Sequence, residues 1–189
     1  MSFCAEARRW FDPIGERFDL NCVSSSESNV RYENARVVLL VTLDRRGSGE
    51  LGVEIGRRSD RYPGPPFSLG EILRLRGVED AVVASGTMIG DEARLPALLS
   101  RLADLTNRHA SDFLAGNEFS FSQAQSLRNR ESADFERRSR IATLRSRAEV
   151  AWRARDYEAV VNALDPIEDQ LSPADRLKLD HCRKRLVDP

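Results

Sequence analysis

Apolar residues in the first third of the chain follow the patterns of β-strands. Segments 19–24 and 29–34 predict two strands on either side of the turn-like SSES at 25–28. RVVLLVTLD, 36–44, is rich in β-branched residues and apolar without interruption, which favours a central strand buried on both faces. ELGVEIGR, 50–57, alternates, so one face of this hairpin is apolar and needs covering. We therefore expect about four antiparallel strands with helices on one side.

Helical spacing marks the N-terminus and the segment that follows the sheet. The apolar residues within 3–11 predict a short helix, which we expect Pro13 to end. SLGE at 68–71 matches a capping box, and it predicts a second helix that Gly77 stops. Residues 78–90 fit either an edge strand or a loop.

From residue 91 onward the apolar period changes from two to about 3.6 residues, which predicts helices. The first of these helices is expected to end at Gly116. Ser120 with Gln123 predicts a capping box for the next helix, which we expect to reach about residue 154. Its middle, weak in apolar residues, is either solvated or in contact with a partner.

The last part of the chain contains clear start signals for two more helices. Asp156 is the expected N-cap of the first, and Pro166 must kink or break that helix. SPAD at 172–175 places Ser at the N-cap and Pro at the first helical position of the second. The C-terminal half is therefore expected to consist of helices alone.

These elements predict an α+β fold. An N-terminal helix lies on a roughly four-stranded antiparallel sheet, and an α-helical C-terminal half follows. We divide the chain into a sheet region, 1–90, and a helical region, 91–189. We expect the two regions to share one core, because only the short Pro-rich loop RYPGPP at 61–66 resembles a linker.

The net charge of −1 gives no general attraction to nucleic acid or membrane, but the charge is unevenly distributed. Residues 128–155 contain nine Arg and four acidic residues, whereas residues 156–189 contain five basic and eight acidic residues. The longest apolar run, VVLLV at 37–41, is too short to span a bilayer, and MSFCAEARRW lacks the apolar segment of a secretion signal. The three cysteines have no CxxC spacing, so we expect a cytoplasmic protein without disulfides.

AEVAWRARDYEAVVNALDPI resembles one unit of the tetratricopeptide repeat family. Small residues, Ala148 and Ala151, precede an Asp156-Tyr157 turn, and a second Ala-containing helix follows. Arg155 stands where the family commonly has Gly, and no second copy occurs at the family's period. The resemblance implies a single helical hairpin rather than a peptide-binding array, which needs about three repeats.

Over its whole length, the order of elements resembles a class of uncharacterised bacterial proteins found among immunity and defence-associated genes. That resemblance implies partner binding rather than catalysis. The residues agree with it, because no catalytic or metal-binding motif is present. His109 and His181 do not form a chelating pair, none of the cysteines lies in a reactive motif, and the Gly-containing segments match no phosphate loop. We therefore expect no cofactor, no metal and no enzymatic activity.

The arginines of the long helix are the main candidates for contact with a partner. They spread around most of the helix surface between residues 137 and 155. One interpretation is a solvated face with i,i+4 pairs such as Glu149–Arg153, and the other is a docking site. No aromatic residue is interleaved with them as a stacking platform. The contact candidates are Arg137, Arg138, Arg140 and, in the Pro-rich loop, Tyr62.

Three functions remain open at this point. The first is a non-catalytic cytoplasmic interaction protein, an immunity-type or defence-associated binder that docks on a partner protein of unknown identity. The alternative is a nucleic-acid-associated accessory protein that uses the Arg-rich helix 137–155, with an affinity that falls steeply with salt. An enzyme with a site assembled from scattered residues is the third reading, and the sequence does not define an oligomeric state.

Overall fold

The computed structural model describes residues 2–44, 49–58, 64–78, 87–88 and 92–187. The chain consists of two compact units, Met1–Arg128 and Asn129–Pro189. The boundary predicted from the sequence lay at residue 90. The fold is α+β, as the sequence predicted, with an N-terminal helix, an antiparallel sheet and a largely helical C-terminal half.

The first unit contains the sheet and the helices that cover it. Its elements in chain order are α1 (Phe3–Arg17), β1 (Asn21–Ser25), β2 (Asn29–Glu33), β3 (Val37–Leu43), β4 (Glu50–Arg57), β5 (Phe67–Ser68), α2 (Leu69–Leu75), β6 (Thr87–Met88), α3 (Leu95–His109) and α4 (Ser111–Leu114). The long helix α5 (Glu118–Arg153) starts in this unit and continues into the second one.

The sheet is an antiparallel meander. The strands follow the order β1-β2-β3-β4-β5, and β6 also pairs with β4. The β3–β4 hairpin has the longest register, from Val37 opposite Arg57 to Leu43 opposite Leu51. The four predicted strands are confirmed. Two further strands of two residues each are present: β5 overlaps the predicted helix cap at Ser68, and β6 lies in residues 78–90, which fitted either an edge strand or a loop.

The central strand β3 is buried on one face only, so the prediction of burial on both faces was wrong. Val37, Leu39, Val41 and Leu43 are buried, while the residues between them are half-buried. One core cluster joins the buried side of the sheet to residues of α1, α3 and α5. The intervening side chains of β3 lie on the other face, next to the polar residues of β2 and β4.

The prediction that Pro13 ends helix α1 was wrong, because the helix continues to Arg17. Pro13 is exposed, and the helix beyond it is retained because Ile14 and Gly15 are buried. Backbone N–H groups of Phe18 and Leu20 close the helix on the carbonyls of Ile14 and Gly15. The lost hydrogen bond at Pro13 is therefore outweighed by the apolar contacts of the following turn.

The Ser68 capping box is confirmed, but the one predicted at Ser120 was wrong. At Ser68 the hydroxyl accepts from the Glu71 N–H at 3.2 Å, and the Glu71 carboxylate accepts from the Ser68 N–H at 2.8 Å. At the start of α5, the Asn117 side chain accepts from the N–H groups of Phe119 (3.0 Å) and Ser120 (3.2 Å). The buried Ser120 hydroxyl instead donates to Asp112.

The second unit contains the rest of α5, then α6 (Tyr157–Leu164), a 3-10 helix (Asp165–Gln170) and α7 (Pro173–Val187). The predicted caps are confirmed, since Asp156 accepts from the Ala159 N–H at 3.0 Å and Ser172 from the Asp175 N–H at 3.1 Å. The break predicted at Pro166 is the 3-10 helix. This unit has a core cluster of its own, made of Ala148, Val160, Ala163, Leu164, Ile167, Leu179 and Cys182.

Candidate protein-binding surface

In the second unit, α5 begins with a section that no apolar core covers. Residues 129–140 are all exposed except Asp134, which is half-buried. The apolar stripe that packs on the second core starts only at Ile141, with Leu144 as the next member. A helix that is polar all round either bridges two domains through solvent or depends on charge pairs along its surface, and it leaves its side chains open to contact with another molecule. Residues 129–147, here named the α5 surface, are therefore the first place to look for a partner.

The three predicted arginines differ in their surroundings. Arg137 forms an ion pair with Asp134 at 2.8 Å, with 61% of its side chain exposed. Arg138 and Arg140 are exposed, and no carboxylate of the described residues forms an ion pair with either. Exposed pairs contribute little, so all three guanidinium groups remain accessible to a partner.

The three arginines do not share one side of the helix. Successive residues of an α-helix are rotated by about 100°, which puts Arg137 and Arg140 about 60° apart. Arg138 points to a different side, about 160° from Arg140. A single flat partner surface therefore cannot contact all three equally.

Two further arginines belong to the same run. Residues 137–148 contain five Arg and no acidic residue. Arg145 is engaged inside the second unit, because it contacts Asp175 at 3.3 Å and donates to the Gln170 carbonyl at 2.9 Å. Arg147 is exposed and, within the described part of the chain, has no ion pair. The unpaired arginines of the run are thus Arg138, Arg140 and Arg147.

Phe135 is not among the contact residues that the sequence predicted. Its side chain is 72% exposed, and it lies three residues before Arg138, which is the spacing of neighbours on a helix surface. Phe135 is not interleaved with the arginines, since it lies two residues before Arg137, but it is an exposed aromatic residue next to them. Its position on the helix could have identified it from the sequence. Phe135 is rotated by about 120° to 180° from the Ile141–Leu144 stripe, so it does not belong to the side that packs on the second core.

The C-terminal end of α5 is paired and packed instead. Glu149 accepts from Lys178 at 2.7 Å and from Arg153 at 3.2 Å. The Lys178 ammonium group is the main cause that lowers the pKa of Glu149, and Arg153 adds to it. Trp152 and Tyr157 are half-buried against the second core and in edge-on contact with each other, at 6.3 Å between ring centroids. The predicted Glu149–Arg153 pair is confirmed, and this end of the helix offers no unpaired charge comparable to Arg138.

A polar cluster in the first unit is the other candidate. Arg128 donates to both carboxylate oxygens of Glu71, at 2.6 and 2.9 Å, and to the carbonyls of Pro65 (3.0 Å) and Pro66 (2.7 Å). Its guanidinium group also stacks on Phe67, 4.1 Å from the ring centroid. These contacts use four of its five N–H donors, so Arg128 fixes the chain before α2.

Glu54 lies beside this cluster with its ionisation disfavoured. Burial raises the pKa of Glu54, and the neighbouring Glu71 carboxylate raises it further, against the lowering effect of Arg128. The pKa of Glu71 is lowered, because hydrogen bonds from Arg128 and Ser68 outweigh the effect of burial. A cavity of about 440 Å³ nearby is lined by Arg57, Phe67, Phe121 and Ser122, among others, but not by Glu54 or Glu71. The two carboxylates and the cavity therefore do not form one site.

The fourth predicted contact residue, Tyr62, lies outside the described residues. Across the part of the chain that the structure describes, no three His, Cys, Asp or Glu side chains are grouped in a way that could hold a metal ion. None of the described helices has both the length and the apolar character needed to cross a bilayer. No known family model, no curated protein and no solved structure matches this chain.

Proposed function

We propose that this chain is a protein-binding module of the immunity type, which docks on a partner protein through the α5 surface and has no catalytic role of its own. The observation that carries the proposal is the acid-free run 137–148, in which Arg138, Arg140 and Arg147 are exposed and unpaired. Guanidinium groups bind carboxylates in a bidentate manner, so these arginines favour a partner with surface carboxylates.

A solvated helix commonly pairs its arginines with acidic residues three or four positions away on the same helix. Arg153 does so with Glu149 four residues before it, at 3.2 Å. Arg138 lies four residues after Asp134, but Asp134 pairs with Arg137 instead. Arg147 has Thr143 and Ala151 at the two i,i+4 positions, so its own helix cannot neutralise it. Arg138 and Arg147 therefore favour neutralisation by another molecule.

Phe135 supplies the apolar part of such a contact. Interfaces derive most of their affinity from a few aromatic and Arg side chains that become desolvated. An exposed Phe next to Arg138 on a helix surface matches that composition. We expect Phe135 to lie at the centre of the contact, with Arg138 beside it.

The test is affinity capture from the native host with two matched variants. Arg138→Glu/Arg140→Glu reverses two unpaired charges of the α5 surface. Lys184→Glu/Arg185→Glu makes the same change of charge on the exposed end of α7. We expect a protein that the wild type and the α7 variant capture and the α5 variant loses. Equal capture by all three would refute the assignment.

Nucleic acid is the second candidate, because the exposed Phe135 beside Arg138 is the kind of side chain on which a base stacks. This reading expects binding of single-stranded oligonucleotides that falls steeply as salt increases. A gel shift at low salt, with Phe135→Ala and Arg138→Ala, tests it. Absence of any shift removes this candidate and leaves the protein partner.

A further inference from the structure

One side of α5 carries two exposed apolar residues, Phe135 in the α5 surface and Val150 just beyond it, with small residues between them. Phe135 and Val150 are 72% and 68% exposed. Between them lie Ser139, Ala142 and Ser146, which are also exposed. Steps of three and four residues keep this row on one side of the helix, away from the Ile141–Leu144 stripe that packs on the second core. Small residues allow a second helix to approach closely along the row.

A complementary pair of charges flanks this row. Glu136 and Arg147 are exposed, and within the described residues neither forms an ion pair. They lie on the same flank of the helix, since eleven residues correspond to about three turns. At 1.5 Å per residue they are about 16 Å apart, too far to pair within one chain. An antiparallel copy of the helix would bring each of them opposite the other.

We propose that a second copy of this chain occupies the row, through antiparallel pairing of the two α5 helices about a two-fold axis that passes between Ala142 and Thr143. The inference rests on the proposed function, because it identifies the partner of the same α5 surface. Closed two-fold dimers are the commonest form of self-association, and they require a surface that is complementary to itself.

The two-fold axis fixes the register of the contact. Phe135 of one copy lies against Val150 of the other, so the largest exposed apolar side chains of the row cover each other. Ser139 lies opposite Ser146, and Ala142 opposite Thr143, which leaves room for close packing at the centre. Glu136 pairs with Arg147 at both ends, and Arg138 lies beside Glu149 of the second copy. A parallel arrangement would instead place like charges together.

Charge-swap variants test this register in solution by sedimentation over a concentration series. Each single reversal, Glu136→Arg or Arg147→Glu, places two like-charged pairs in the interface and should weaken the dimer about tenfold. The double variant Glu136→Arg/Arg147→Glu should restore it, and such rescue arises only between chains because of the separation within one helix. A monomeric wild type, or a double variant weaker than both single ones, would overturn the inference.

Cysteine pairs provide a second measurement that does not depend on affinity. In a chain with the exposed Cys22 replaced by Ser, Ser139→Cys/Ser146→Cys should form disulfide-linked dimers under mild oxidation. Each single variant should not, because two copies of the same position are about 10 Å apart along the axis. Cross-linking of the single variants to the same extent would indicate a different arrangement and contradict the register.

Failure of this inference and failure of the proposed function give different results. If the chain is monomeric but the capture experiment yields a protein that Arg138→Glu/Arg140→Glu loses, the second copy is excluded while docking through α5 stands. If capture yields only this same chain and the charge swap rescues the dimer, the second copy is the partner.

Discussion

At the scale of single residues, pairing separates structural arginines from those available for binding. Arg128 has a carboxylate, two backbone carbonyls and an aromatic ring as partners, whereas Arg138 on the same helix has no ion pair within the described residues. The sequence identified the arginine-rich helix but could not make this distinction, because the partners of Arg128 are 57 to 63 residues away in the chain. Phe135 was missed for a related reason, since a single apolar residue off the stripe has no periodic signal.

Arg128→Ala should destabilise the first unit by about 2 kcal/mol, because it leaves the half-buried Glu71 carboxylate and two carbonyls without their donor. Arg138→Ala, on the same helix, should change stability by less than about 0.5 kcal/mol. Chemical denaturation of both variants measures the difference. Equal effects of the two substitutions would contradict the structural role of Arg128.

Glu54→Gln should stabilise the first unit at neutral pH and lose this advantage in acid. The folded-state pKa of Glu54 lies above its unfolded value, so the wild type loses stability as pH rises through these two values. Glutamine does not ionise and avoids that loss. Denaturation at a series of pH values measures the difference in free energy of unfolding between Glu54→Gln and the wild type, with substitution of the exposed Glu16, Glu16→Gln, as the control. A stabilisation by Glu54→Gln that increases as pH falls would contradict the prediction.

At the scale of elements, local signals fixed the strands and most helix caps, and longer-range contacts changed the rest. The alternation of residues 50–57 gave β4 its correct bounds. An uninterrupted apolar run cannot show how much cover each face receives, which is why burial of β3 was overestimated. Pro13 did not end α1 because the buried Ile14 and Gly15 hold the next turn against the first core.

The start of α5 gives a direct test of capping. Asn117→Ala should cost about 1 kcal/mol, since it removes the acceptor of the Phe119 and Ser120 N–H groups. Gln123→Ala should be nearly neutral, because the Ser120 N–H that a capping box would use is already bound to Asn117. Thermal unfolding of the two variants decides between them, and a larger cost at Gln123 would favour the capping box predicted from the sequence.

At the scale of the whole molecule, periodicity identified the buried side of each helix but not the element that it packs against. Periodicity therefore does not separate any part of residues 91–189, whereas the contacts place α3, α4 and the start of α5 with the sheet. Residues from Ala148 onward form a separate core. The α+β class was predictable because it depends only on the change of period, and the composition of each core was not.

Two separate cores predict two separable unfolding transitions. The two tryptophans, Trp10 and Trp152, fall in different units and report on each of them in variants with one Trp replaced by Phe. Leu39→Ala should lower the free energy of unfolding reported by Trp10 by about 3 kcal/mol. Leu164→Ala should lower the free energy of unfolding reported by Trp152 by about the same amount. If either substitution shifted both transitions equally, the cores would not be independent.

Hydrogen exchange of the captured complex tests docking through the α5 surface. Backbone amides of an exposed helix section without tertiary contacts exchange early, and a bound partner slows their exchange. Relative to the free chain, we expect the added protection to concentrate in peptides from residues 129–150. Protection confined to the sheet or to α7, with exchange in 129–150 unchanged, would contradict the claim.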